Sequence, residues 1–173
     1  MDSDFMIARL LLLFSVLVSL YYYHQKHPVN FALLGLFTVS LSLTIGVSCA
    51  FTRGELVLEA LILTATVTLG LTAYTYWASR KGYDFNFLGL VLFVVVITLI
   101  MWSLIQAFFP ASKLSLSIYG GIATVIFSAY IVYDTNNLIK RFSYDEYIWA
   151  SVSLYLDILN LFLSILNILR AQC

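Results

Sequence analysis

Two aspartates, Asp134 and Asp157, stand inside hydrophobic stretches long enough to cross a lipid bilayer. A carboxylate at the centre of a membrane costs about 2.5–3.5 kcal/mol even on the lenient insertion scale. It therefore needs a partner, water or a proton. Two carboxylates close together in low dielectric cannot both ionise cheaply, so they share a proton. The shared proton makes a hydrogen bond that ties two helices together. Its loss turns the tie into repulsion, or into an oxygen site for a divalent cation such as calcium. The pair is a candidate pH sensor, a candidate calcium site, or both.

The elements that carry the pair follow from spacing. Ser153, Asp157, Asn160, Ser164 and Asn167 recur at intervals of four, three, four and three, which places all five on one helical face. That stripe runs about 21 Å at 1.5 Å per residue. The remaining faces are Leu, Ile, Val and Phe, so a narrow polar face is expected to point into a bundle and the others toward lipid. A second stripe joins Tyr119, Ala123, Ile126, Tyr130, Asp134 and Asn137. The two helices are antiparallel neighbours joined by a short loop. Their aspartates are expected within about one to two helical turns of each other, with Ser153, Asn137 and Asn160 in support.

The rest of the chain fits a membrane protein. It is 62% hydrophobic and only 10% charged, against roughly 25% charged for an average soluble domain. The fold class is all-α, a polytopic helix bundle forming a single transmembrane domain over residues 1–173. Six spans are read at about 6–23, 31–51, 55–79, 85–109, 114–139 and 147–169. Leu10–Leu20 could serve as the apolar core of a signal peptide, but an acidic start and no A-x-A site mark a retained helix. The Tyr21–Tyr23 triplet is expected to end it at the lipid–water boundary. The connecting loops are too short for a soluble domain. Lys26, Arg80, Lys81, Lys140 and Arg141 fall on one side; Arg9, Arg53, Lys113 and Arg170 fall on the other. Five cations against four favour the first side as cytosolic.

Other chemistries fit less well. Zero net charge suggests no nucleic-acid partner. Tyr133-Asp134 matches half of the intramembrane aspartyl protease signature, but Asp157 lacks the G-x-G-D context, so no enzyme is expected. His24 and His27 sit in a loop without a metal-site pattern. No broken helix or inverted repeat marks a secondary transporter. Cys49 and Cys173 form no disulfide framework. Glu59 reads as an interfacial residue, and Thr64, Thr66, Thr68, Thr72 and Thr75 as threonines bonded to their own backbone. Ser and Asn on the polar stripe are also common interhelical glue.

The run YIVYDTNNLIKRFSYDEYIWASVSLYLDILNLFL, Tyr130–Leu163, resembles the transmembrane Bax inhibitor motif family in its plant-type Lifeguard branch. YYYHQKHPVNFALLGLFT (Tyr21–Thr38) and GYDFNFLG (Gly82–Gly89) echo the same branch. The resemblance covers about Tyr21 to Arg170. It implies a seven-helix bundle with a calcium leak pathway in endomembranes (endoplasmic reticulum, Golgi or vacuole) and restraint of programmed cell death. It carries the family's two-aspartate pH sensor to Asp134 in YDTNN and Asp157 in LYLDILN. A basic residue that locks the pair would be Lys26 or His24. With six spans read instead of seven, the chain is expected to be an N-terminally shortened form.

The function so implied is a pH-sensitive calcium leak channel. No cofactor is expected; calcium is the permeant or bound ion. The partners are the lipid bilayer and other membrane proteins of cell-death control. The alternative is a non-conducting membrane adaptor acting through such proteins.

Overall fold

The computed structural model describes residues 15–23, 26, 28–109, 112–141, 143 and 146–172. Among them every regular element is an α-helix. Residues 15–23 form α1; α2 is Val29–Ala50, α3 Gly54–Arg80, α4 Leu88–Phe108, α5 Lys113–Lys140 and α6 Tyr147–Gln172. The last five are each long and apolar enough to cross a membrane, since about 20 residues span the hydrocarbon. The chain is an integral, multi-pass membrane protein. The start of the expected first span lies outside the described residues.

Local chemistry sets the helix ends. Pro28 precedes α2, where its missing N–H is no loss. Ser112 caps α5, its hydroxyl accepting the Ser115 N–H at 3.2 Å. The close of α3 bears directly on the candidate site. Gly82 has φ +89°, a left-handed conformation open to glycine. Its N–H donates to Ser79 O and the Tyr83 N–H to Ala78 O, both at 3.2 Å. This paired closure is a Schellman motif. It reverses the chain sharply and sets the 83–87 loop.

The described chain divides into two compact units, one within Met1–Phe51 and Phe142–Val152, the other within Thr52–Arg141 and Ser153–Cys173. In the first, Tyr21–Tyr23 close α1 with exposed rings, as interfacial tyrosines do. The Tyr21 ring meets Trp149 edge-on at 5.2 Å.

In the second unit α5 packs against both α3 and α4. Tyr133 meets Gly89, Tyr119 meets Trp102 at 5.7 Å, and Ser115 accepts from Gln106 at 3.1 Å. Position rises on α4 as it falls on α5, so these helices are antiparallel. At Gly120 the missing side chain admits α6: an added Cβ would stand 2.8 Å from Ile168 Cγ1 and 3.0 Å from Ser164 O. Arg170, near the end of α6, donates through Nε to Thr52 Oγ1 at 2.7 Å.

The outer surface is apolar. On α4, Leu90, Val91, Phe93, Val94, Ile97, Met101 and Leu104 are exposed. In water such a face would be a liability; in a bilayer it is the solvent surface. Hydroxyls on these helices bond inward to backbone. Thr64, Thr66 and Thr75 donate to the carbonyls four residues earlier at 2.7–2.8 Å. Thr68 departs from that expectation, for its buried Oγ1 has no partner among the described residues.

One expectation is corrected on α6. Its polar face was to be the single enclosed face. Besides Ser164 on the polar face, Leu161, Phe162, Ile165 and Leu166 are buried, and at 100° per residue these four cover an arc of about 140° outside that face. Much of the apolar surface in the middle of α6 is thus enclosed too, and that part meets protein rather than lipid.

Candidate ion-handling site between the last two helices

Asp157 is 7% exposed, near the middle of α6. Asp134 is half-buried on α5, and the two carboxyl groups lie within side-chain hydrogen-bonding reach. Tyr130, one turn before Asp134, stands within electrostatic range of both. Asp157 Oδ2 is buried without a hydrogen-bond partner among the described residues. An ionised carboxylate can only accept. That oxygen calls for a donor proton, a water or a cation at the pair.

Neighbouring oxygens are open as well. Asn137 shares the Asp134 face at a spacing of three and is buried, with Oδ1 unpartnered among the described residues. Thr135 Oγ1 is likewise buried without a partner there. Among the described residues no three His, Cys, Asp or Glu side chains gather. Calcium takes six to eight oxygens, so two carboxylates and an amide oxygen form at most part of a shell.

The supporting residues separate. Ser153 and Asn160 are half-buried on α6. Asn160 contributes its carbonyl, which accepts from Ser164 Oγ at 2.7 Å. Lys26 is exposed, with Nζ 5.4 Å from the Tyr23 ring centroid. His24 lies outside the described residues. Glu59 is exposed one turn into α3.

Sequence reasoning missed the cluster beside this pair. Asn136, 1% exposed, spends both ends of its amide. Its Oδ1 accepts from Ser79 Oγ at 3.0 Å, and its Nδ2 donates to Asp84 Oδ1 at 3.3 Å. Asp84 also accepts from Asn86, through the backbone N–H at 3.3 Å and the side-chain amide. Lys140 Nζ donates to Tyr83 O and stands 4.0 Å from Asp84 Oδ1. The available signal was Asp84 in the GYDFNF loop and Lys140 on the same side by charge. Their 56-residue separation in sequence (140 minus 84) hid the meeting.

Partial desolvation acts upward on the Asp84 carboxyl. The hydrogen bonds from Asn136 and Asn86 and the Lys140 charge outweigh it, holding Asp84 below its ordinary 3.8. A folded-state value below the unfolded one adds stability above the unfolded value and loses it as pH falls through the folded one. The Asp84–Lys140 contact is therefore expected to persist across neutral and mildly acidic pH, breaking only below pH 3.8. Carboxyl-resolved NMR titration of Asp84 would measure this; a midpoint above that value would contradict it.

The family described as Inhibitor of apoptosis-promoting Bax1 matches residues 3–173. The chain belongs to that family. The resemblance of the Tyr130–Leu163 run is thereby borne out, in its Lifeguard branch. Protein LIFEGUARD 4 of Arabidopsis thaliana is 64% identical over 156 residues, covering 90% of this chain and 63% of the relative. Bax inhibitor 1 of Schizosaccharomyces pombe is 36% identical over 169 residues, covering 98% and 62%. The Golgi anti-apoptotic protein of vaccinia virus is 39% identical over 159 residues, covering 91% and 65%. The chain spans slightly under two thirds of the length of these Bax inhibitor relatives.

Proposed function

We propose that this Bax inhibitor family chain is a pH-responsive calcium leak element of an endomembrane, acting to restrain programmed cell death. The observation that carries the reading is the Asp134–Asp157 pair, with buried Asp157 Oδ2 lacking a partner among the described residues. One shared proton ties α5 to α6. Its departure leaves adjacent negative charges that repel, or that attract a divalent cation from water. The Asn137 amide oxygen, on the Asp134 face, adds a neutral ligand for an ion in transit. The pair makes and breaks no covalent bond in this reading, so no enzymatic step is involved. Calcium is cargo here, held briefly by hard oxygen ligands. The cell-death role rests on the family's description and on the names of the relatives.

The test is calcium release from liposomes reconstituted with the full chain, wild type against Asp157→Asn, across pH. Wild-type flux is expected to change by up to about tenfold per pH unit, the limit for one titrating proton, while Asp157→Asn gives a flat profile. Identical flux and profile for the two proteins would overturn the calcium reading. Protection of cells by the Asp134→Asn/Asp157→Asn variant at full strength would favour a non-conducting adaptor instead.

A further inference from the structure

We infer that Asn136 is a positioning residue: its bonds to Ser79 and Asp84 fix the rotation of α5 that turns Asp134 toward Asp157. Asn136 lies two residues beyond Asp134, about 200° around the helix. The lock and the aspartate therefore occupy opposite sides of α5. The amide is buried and engaged at both ends, accepting from Ser79 and donating to Asp84. A turn of α5 by one residue, about 100°, would carry Asp134 off its partner and strand that amide without partners in low dielectric.

Two further observations single out this cluster. Ser79 breaks the habit of its own helix: Thr64, Thr66 and Thr75 bond back to α3 carbonyls, whereas Ser79 donates across to α5. Lys140 lies four residues after Asn136, on the same helical face. It holds the same loop, at Tyr83 O and beside Asp84. One face of the last turn of α5 thus grips the 83–84 loop twice, and the Gly82 reversal presents that loop to it. Tyr133 rests against Gly89 of α4. Successive residues of the YDTNN motif are thereby divided among α4, α6, and α3 with its following loop. Spreading the contacts in this way opposes rotation more strongly than any one contact would.

The inference rests on the proposed reading for its purpose, but its test does not require flux. The full chain carrying Cys49→Ser and Cys173→Ser would receive Asp134→Cys and Asp157→Cys, and disulfide formation under mild oxidation would be timed in liposomes. The parent pair is expected to cross-link readily. Adding Asn136→Ala should slow cross-linking by about tenfold, the weight of a hydrogen bond to a charged group. Ser79→Ala should slow it less, and Asn136→Gln, which keeps both amide functions, should recover part of the rate. Equal rates for parent and Asn136→Ala would overturn the inference. Should Asn136→Ala fail to yield monodisperse protein, Asp84→Ala with Lys140→Met removes the loop half and leaves the Ser79 bond. An unchanged rate in that variant would overturn it equally. Identical flux for wild type and Asp157→Asn joined to slowed cross-linking would refute the calcium reading and leave the lock standing; the expected flux difference joined to unchanged cross-linking would do the reverse.

Discussion

Gly120→Leu is expected to prevent α6 from seating against α5, leaving little monodisperse protein after extraction. Even the first atom of a side chain at this position would stand 2.8 Å from Ile168 Cγ1 and 3.0 Å from the Ser164 carbonyl oxygen. The Ile168 side chain can shift, but the Ser164 oxygen is backbone of an enclosed helix and cannot. Overpacking a tight contact costs typically 1–3 kcal/mol; Gly120→Ala should fall in that range, and leucine should exceed it. The neighbouring glycine supplies the control, because nothing lies within 4 Å of a Cβ at Gly121. Gly121→Ala should be neutral or gain about 0.5–1 kcal/mol from helix propensity. Thermal unfolding in detergent would rank the three variants. A Gly120→Ala protein as stable as Gly121→Ala would contradict the close approach of α5 and α6.

Asp134→Leu/Asp157→Leu is expected to be as stable as the wild type or more so, while losing any pH response. Replacing both partners of a buried polar pair with apolar side chains of similar shape is often nearly neutral or stabilising. Asp157 Oδ2 has no partner among the described residues, which adds to the expected gain. Asp157→Leu by itself leaves Asp134 without its carboxyl partner and should lose about 1–3 kcal/mol. The double and single variants therefore form a cycle whose coupling has a defined sign. Were the double variant less stable than either single one, the aspartates would be interhelical glue. A gain in stability joined to a flat flux profile would mark a pair retained for function.

Most of the helical architecture was legible along the chain. A bilayer demands long apolar runs with satisfied backbones, and that demand is written residue by residue. Polar spacing also identified the face of α6 that bears Asp157, and of α5 that bears Asp134. Reading failed where proximity is not periodic. Leu161, Phe162 and Leu166 look equally suited to lipid and to protein, because both are apolar. Only the packing of neighbouring helices encloses them. Asn136 follows Asp134 too closely to share its stripe, so periodicity set it aside although it makes two long-range bonds.

By itself, the sequence determined the all-helical membrane class, five long apolar helices and the identity of the two costly carboxylates. Each follows from composition and spacing within a single segment. Only the tertiary structure decided that Asp134 meets Asp157, that Gly120 admits α6, and that Asp84, Asn136 and Lys140 meet at the end of α5. Those contacts depend on the rotation and separation of whole helices. Rotation and separation are set by the sum of side-chain fits between segments, which no single stretch of residues encodes.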